Sequence, residues 1–454
     1  MVKIMELKKY KDNNYKRKSY VVLVIGFFLL SISGYLFYKS YALYEEKKDF
    51  DVINGTVEDP GDIYFAYYID GVISRNMPLQ NTGYTLDETK SNCNNGVVPT
   101  WDNAGWKFIG DYHNYSATTN TRTKCNLYFD KTAKTVKTAL GNIEVNTYTP
   151  DFTKSACDDS SCESHEKGIF ETTDYDGNPT YYYRGSVENN YVKFSGFYWR
   201  IIRINSNGSI RMIYDGTSAH KNGEASEDRQ YGTSQFNTSA GNNMYVGYMY
   251  TEGDAHGMGT SSTIKVKGDK FCTDKLSVNA SKLDTNAGFC GDRSSLSNDS
   301  NSGIGQTITY YKAYVRVEES NPTLSCENAS DYYTVSSSSL GNKVLRYPIG
   351  LISIDEVVLA GHAGGVVNGE YNHGKSNLKY YLFSGQEFWT MTPAGYYVPY
   401  FQSLRSKNFS VLDSKNSIDD TVVSFDLAYK PVINIRSDVT IKGTGTMMDP
   451  YVVV

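Results

Sequence analysis

The 454-residue sequence lacks the short motifs that carry much hydrolytic and metal chemistry. Its six histidines form neither H-x-x-x-H nor H-E-x-x-H, which excludes a zincin-type helix. No G-x-S-x-G nucleophile elbow occurs, and no C-x-x-C pair supports a zinc or thioredoxin-like centre. The sequence therefore predicts no catalytic residue, no metal and no cofactor.

Net charge differs between the first 18 residues and the rest of the chain. Residues 1–18 hold seven Lys/Arg against two acidic residues, a net charge of +5. Since the whole chain carries −5, the remainder carries −10. Phosphate backbones are bound by basic surfaces, so this acidic remainder excludes nucleic acid as a partner.

Charge is absent from residues 20–38. Nineteen helical residues span about 28 Å, close to the hydrocarbon thickness of a bilayer. The basic tail before them should stay in the cytoplasm. We predict a cytoplasmic tail over 1–18, a transmembrane helix over 19–40 and a stalk over 41–60. The helix anchors the protein in the cell membrane, and the C-terminal ectodomain is extracellular. The alternative is a signal peptide, cleaved in the small-residue stretch Ser40–Ala42.

Cysteine is missing from the first 92 residues and occurs seven times after them, on the predicted outer side. Disulfides persist outside the cytoplasm. We predict the local pairs Cys93–Cys125 and Cys157–Cys162, while Cys290 joins either Cys272 or Cys326. The odd count leaves one thiol over. The alternative is a set of free buried thiols.

Tyrosine is abundant, with 40 tyrosines beside 19 phenylalanines. Aromatic residues with frequent Gly, Asn, Ser and Thr are typical of strands joined by turns. We therefore predict an α+β, mostly β fold. It comprises a small β-domain over 61–130, a connector over 131–165 and a large domain over 166–454.

The clearest local signal is a hairpin in the large domain. Residues 199–204 and 210–214 are apolar runs that flank the turn dipeptide Asn207-Gly208. This dipeptide supplies the positive φ angles that a tight hairpin turn needs. The sequence predicts two adjacent antiparallel strands.

The two faces of this hairpin differ in their side chains. Alternation sends Arg203 to one face, and Arg200, Ile202 and Ile204 to the other. We predict that the face with Ile202 and Ile204 is the core face. Because each face carries an arginine, one face must bury an arginine stem or border solvent.

Four ordered segments resemble a domain found in uncharacterised bacterial surface proteins. That domain has the motifs W-R-I-I-R-I-N-x-D/N-G, G-L-I-T-x-D-E-V, W-T/L-x-S-P and V-R-P-V-I-N-L. This chain has WRIIRINSNG at 199–208, GLISIDEV at 350–357, FWTMTP at 388–393 and KPVINI at 430–435. Such domains are similar to the C-type-lectin-like and sulfatase-modifying superfold. The resemblance implies that fold for 166–454, with the last segment beside the hairpin.

Lectins of this kind often bind sugar through calcium, but the tripeptides E-P-N, Q-P-D and W-N-D are missing. The leading hypothesis is a non-enzymatic protein that adheres to or recognises an extracellular glycan or protein ligand. An extracytoplasmic enzyme of the sulfatase-modifying superfold and a structural envelope protein are the alternatives. Two thiols lining a cleft would favour the enzyme, and a buried disulfide would favour the binding protein.

Aromatic residues near the third segment are candidates for ligand contact. Gly395 and Pro399 interrupt them and give a loop-like composition. Tyrosines exposed on loops make good binding surfaces. The alternative is packing in the core. The candidate ligand-binding residues are Trp389, Tyr396, Tyr397 and Tyr400.

Overall fold

The computed structural model describes residues 64–80, 82–94, 96–102, 105–109, 123–157, 162–296, 303–363, 366–367, 370–371, 378–398, 403–412 and 417–454. The predicted tail, transmembrane helix and stalk lie outside these residues. Within the described part, no helix is both long and apolar enough to cross a membrane. The described residues divide into two compact units, one of those within 64–65, 93–100 and 108–125, the other of those within 66–92, 101–107 and 126–454.

Strands account for 35% and helices for 15% of the structure, which confirms the mostly β prediction. The α-helices are Val136–Leu140 (α1), Thr263–Phe271 (α2), Lys312–Glu318 (α3) and Ile354–Leu359 (α4). Short 3₁₀ turns cover Ser164–Glu166, Glu227–Arg229, Asn243–Val246, Ser277–Lys282 and Ala329–Asp331, and a π turn covers Cys272–Leu276.

The strands are numbered in chain order. The first eight are Tyr64–Ile69, Val72–Ser74, Tyr84–Leu86, Asn92–Cys93, Thr100–Asp102, Lys107–Ile109, Lys124–Lys131 and Lys134–Thr135 (β1–β8). The next eleven are Gly168–Thr173, Pro179–Arg184, Tyr191–Phe194, Phe197–Ile204, Ile210–Gly216, Thr233–Ser234, Met249–Tyr250, Thr260–Ser261, Phe289–Cys290, Thr309–Tyr310 and Tyr332–Tyr333 (β9–β19). The last ten are Ile349–Gly350, Val366–Val367, Glu370–Tyr371, Phe388–Tyr397, Arg405–Leu412, Ser417–Val422, Leu427–Ala428, Val432–Ile435, Thr440–Lys442 and Tyr451–Val453 (β20–β29).

In the first unit, a disulfide joins Cys93 to Cys125. The rings of Phe65 and Phe108 stack with their centroids 5.0 Å apart. A covalent bond and a stacked ring pair thus hold the described residues of this unit together.

The second unit contains a central ten-stranded sheet. Its main path runs β20-β27-β13-β12-β11-β29-β28-β8, and β10 joins both β12 and β9. β12 and β13 pair antiparallel as predicted, with Gly208 in their turn at φ 80°. β27 pairs with β13 from Ile210–Ile435 to Ile213–Val432, which confirms that the last motif segment lies beside the hairpin.

The prediction that the hairpin face with Ile202 and Ile204 is core is confirmed, since both residues are buried. The opposite face is buried too, because it is also covered, and no more than 6% of Trp199, Ile201, Ile202 or Ile204 is exposed. The Trp199 ring meets Phe271 of α2 edge-on, with the centroids 6.2 Å apart.

A second sheet of six strands packs in the same unit. Its path is β14-β26-β23-β24-β25, and β18 pairs with β23. Its longest strand, β23, contains the third motif segment and is buried along nine of its ten positions.

Candidate ligand-binding cleft

The predicted aromatic site residues do not form a binding surface. Trp389 is fully buried and donates a hydrogen bond from Nε1 to the Ser234 carbonyl at 2.8 Å. Tyr396 is 1% exposed, and its hydroxyl donates to the Gly241 carbonyl at 2.9 Å. For these two residues, the ligand-binding hypothesis gives way to core packing.

Tyr397 is half-buried, and its ring stacks on Tyr310 at 5.6 Å, while Tyr400 lies outside the described residues. Up to Tyr397 the segment belongs to strand β23, and Pro399 also lies outside the described residues. Gly395 allows a close contact within this strand. A Cβ at Gly395 would lie 2.5 Å from the Tyr397 ring. The composition that indicated a loop therefore reflects a tight contact inside β23.

A cleft of about 100 Å³ with both polar and apolar lining lies elsewhere in the second unit, lined by the β9–β10 turn, the β12–β13 hairpin and the N-terminus of α4. Three of the four motif segments or their flanks contribute to its lining. The charged and aromatic lining residues considered below are Asp174, Tyr175, Arg203, Arg211, Tyr332 and Glu356.

A β-bulge positions the two arginines of the cleft. The register of β12 against β13 shifts between Ile201 and Arg203, so that Arg203 lies directly opposite Arg211. Regular pairing continued from Ile201 would have put Ile202 there instead. Bulges commonly re-aim side chains in this way. Two like charges placed directly opposite one another repel, so the pair needs a shared anion.

Glu356 is that anion. Its Oε1 lies 2.6 Å from Arg211 Nε and 3.2 Å from Arg203 Nε. Its Oε2 accepts a hydrogen bond from Arg211 Nη2 at 3.1 Å. Burial by itself would raise the Glu356 pKa, but attraction to the two arginines outweighs it and holds the pKa below its usual value. Glu356 is therefore ionised at neutral pH.

The same glutamate closes the N-terminus of α4. The Ser353 hydroxyl accepts from the Glu356 backbone N–H at 3.1 Å, and Glu356 Oε2 accepts from the Ser353 N–H at 2.9 Å. These reciprocal bonds form a capping box. From β23, Thr392 Oγ1 accepts from the Ile354 N–H at 2.9 Å. The capping box fixes the carboxylate in front of both arginines.

Arg203 and Arg211 differ in their remaining contacts. Arg211 is buried, donates to the carbonyls of Gly288 and Leu351 and lies over the Phe289 ring. Arg203 keeps 12% of its side chain exposed, and its shortest contact with Glu356 is made by Nε. Among the described residues, its Nη1 and Nη2 groups have no acceptor. The outer edge of the Arg203 guanidinium therefore faces the cleft with its donors available.

Two tyrosines stack at the cleft. The rings of Tyr175 and Tyr332 are 5.7 Å apart and inclined by 12°. Tyr175 belongs to the β9–β10 turn and is 42% exposed. The stack restrains the Tyr175 ring and leaves part of it open to solvent.

The cysteines pair as Cys93–Cys125, Cys157–Cys162 and Cys290–Cys326. Cys290 thus joins the second of its two predicted partners. Cys326 is fully buried, and Cys290 lines the cleft. Across the described part of the chain, no group of His, Cys, Asp and Glu side chains is arranged to hold a metal ion.

Cys272 is the remaining thiol, and we predict that it is unreactive in the folded protein. It is 4% exposed, and burial raises its pKa to about 12. Because the thiolate is the reactive form, iodoacetamide at pH 8 should add no label to the native chain. Mass spectrometry should find one label per chain in denaturant, and seven after denaturation with reductant. Native labelling would contradict this burial, and more than one label without reductant would contradict the pairing.

Comparison with known proteins found no match for this chain among protein-family models, curated proteins or solved structures.

Arg203, Glu356, Tyr175 and Tyr332 are not among the site residues predicted from the sequence. Two signals could have pointed to the first two. Alternation required an arginine to be buried or to border solvent, and Ser353-x-x-Glu356 is a capping-box pattern. The turn composition Asp174–Gly177 marks a turn but not its proximity to Tyr332, which is more than 150 residues away in the sequence.

Proposed function

We propose that this chain is a membrane-anchored extracytoplasmic binding protein. Its residues 166–454 form a domain of the C-type-lectin-like superfold that recognises a glycan or protein ligand at the cell surface. The observation that carries the proposal is the cleft, in which Arg203 presents free donors beside an exposed tyrosine. Fixed polar groups in a concave site are typical of ligand binding.

Three disulfides support an extracytoplasmic location, because disulfides are rare in the reducing cytoplasm. The lectin-like fold is supported by the central sheet. It contains both β9, near the start of the large domain, and β29, at the end of the chain. The uncharged run at 20–38 supports the anchor.

The binding hypothesis is favoured over the enzymatic alternative by the state of the cysteines. A thiol chemistry of the sulfatase-modifying kind needs reactive cysteines at a cleft. Cys290 and Cys326 are joined to each other, and the Cys272 thiol is buried with a raised pKa.

Binding is tested with the full chain, purified from membranes and applied to an array of polysaccharides and matrix proteins. We expect saturable binding to at least one class of ligand, which excess soluble ligand abolishes. Absence of binding to every class would contradict a recognition role.

We also predict that protease added to intact cells removes the ectodomain. With an epitope tag at each terminus, the C-terminal tag should disappear. The N-terminal tag should remain on a membrane-bound fragment of roughly 40–60 residues, the tail and span together. A soluble protein in the medium that begins near Leu43 would show a cleaved signal peptide instead.

A further inference from the structure

We propose that the cleft binds the carboxylate of an acidic sugar of the hexuronic acid class. Arg203 binds the anion, and Tyr175 contacts the sugar ring. This inference rests on the proposed function, because it names the ligand class of the same cleft.

The first step is the geometry of Arg203. A guanidinium offers donors in a planar fork that matches the two oxygens of a carboxylate. The shortest contact of Arg203 with Glu356 is made by Nε, 3.2 Å from Oε1, and it holds the side chain in place. The outer edge, with Nη1 and Nη2, is left for a second carboxylate. An arginine held on one side and open on the other is pre-organised for binding.

The second step is charge. Arg203 and Arg211 share the single carboxylate of Glu356, so this group carries a net charge of +1. One monovalent anion neutralises it. Asp174 and Asp176 also line the cleft, as does Asp355, which is paired with Arg316. Asp174 and Asp176 repel any anion, and they repel the two charges of a phosphate more strongly than the single charge of a carboxylate, which favours the carboxylate of the two.

The third step concerns the rest of the ligand. The cleft is small, so it accommodates the charged group while the remainder lies against its rim. There Tyr175 offers an exposed ring that Tyr332 supports from behind. An aromatic ring contacts the C–H face of a sugar over a broad area with little loss of side-chain entropy.

The lining can also bond the hydroxyl groups of a sugar. Asn205 and Asn207 already donate to Asn434 and Asp284, and their remaining hydrogen-bonding capacity, with the Ser325 hydroxyl, is directed to the cleft lining. The lining also exposes apolar surface, from residues such as Ala287, Leu324 and Leu340, which suits the C–H face of a sugar ring. The tripeptide probe in the test below distinguishes a sugar from a peptide carboxyl terminus.

The test is isothermal calorimetry on the full chain with four probes. These are a galacturonic acid trisaccharide, the matching galactose trisaccharide, galactose 6-phosphate and a tripeptide with a free carboxyl terminus. We expect the uronate to bind at least about tenfold more tightly than each of the others, since only it supplies both a monovalent planar anion and a sugar face.

Three variants assign the binding to the cleft. Arg203→Gln should weaken uronate binding by about 10–100-fold, and Arg203→Lys, which keeps charge but loses the fork, by a smaller factor. Tyr175→Ala should weaken it by about 2–10-fold. Tyr175 is exposed, so this variant keeps the test valid if the arginine variants unfold. The matched control Arg436→Gln, at an exposed pair with Asp438, should bind as the parent does.

Equal binding of uronate and galactose would overturn the proposal, as would tighter binding of the phosphate or the peptide. Unchanged affinity in both Arg203→Gln and Tyr175→Ala would also overturn it. If another ligand on the array binds the parent and Arg203→Gln equally well, this inference fails while the proposed function stands. If nothing on the array binds either, both fail.

Discussion

Replacement of Glu356 by glutamine is expected to lower the free energy of unfolding by about 3–5 kcal/mol, because it leaves two arginines without their shared anion in a buried site. Arg211 is 2% exposed and Arg203 12%, so water can replace little of the lost attraction. Glutamine retains the shape and can still close the capping box at Ser353, which isolates the effect of the charge. The measurement is urea unfolding followed by circular dichroism.

The matched control is Glu171→Gln, an exposed residue of β9 with no ion pair within the described structure. It should change stability by less than about 0.5 kcal/mol. If Glu356→Gln lowered the free energy of unfolding by less than about 1 kcal/mol, Glu356 would contribute no more than an exposed surface ion pair does. That result would contradict the buried geometry of the cleft.

The effect of Glu356→Gln should also depend on pH. The folded-state pKa of Glu356 lies below its unfolded value, so the unfolded chain binds more protons as pH falls. The contribution of the charge is then complete above the unfolded pKa of about 4.3 and is lost as pH falls toward the folded value. The difference in stability between parent and variant should therefore be constant from pH 6 to 8 and shrink below pH 4. If the stability difference between parent and variant grew on acidification, the pKa of Glu356 would be raised in the folded state and not lowered.

Local signals predicted the framework of the cleft. The Asn207-Gly208 turn encodes its own positive φ, so the hairpin could be located from about 15 neighbouring residues. Ser353 and Glu356 likewise encode the start of α4, which begins at Ile354. Such features depend on contacts within a few positions, which a single sequence contains.

The cleft itself depends on contacts that no local pattern contains. Glu356 lies 145 positions after Arg211, and neither residue alone indicates the other. The bulge after Ile201 places Arg203, and not Ile202, opposite Arg211, and no local sequence pattern marks this bulge. A one-residue shift of register is enough to exchange the faces of a strand. The site was therefore hidden by an irregularity in the one hairpin that the sequence predicted best.

Tyrosine density was misleading for a related reason. Trp389 and Tyr396 satisfy their polar atoms with the carbonyls of Ser234 and Gly241, so they can be buried without an unpaired donor. Amino-acid composition alone therefore does not distinguish tyrosines at a binding surface from tyrosines in the core. Exposure distinguishes them, and Tyr175 is exposed in a turn that contains no other aromatic residue.

Truncation of the chain after Phe425 is expected to abolish folding of the second unit. β27 would be lost from its position between β13 and β20, where it pairs on both sides. Val432, Ile433, Ile435 and Ile441 would go with it, all of them at most 1% exposed. At about 1.5–3 kcal/mol each, their burial contributes roughly 6–12 kcal/mol, comparable with the whole stability of a typical domain. Thermal unfolding should therefore show no cooperative transition.

Point substitutions in the intact chain separate this effect from the loss of length. Ile433→Asp buries an unpaired carboxylate in the middle of the sheet and should unfold the unit almost as fully as the truncation. Val452→Asp alters a residue of the same C-terminal segment that is 41% exposed, so its melting temperature should stay near that of the parent. If the truncated chain kept a cooperative transition at an unchanged midpoint, β27 would not be an interior strand. The assignment of 166–454 to one domain would then be wrong, because the remaining chain would form its core without the C-terminal strands.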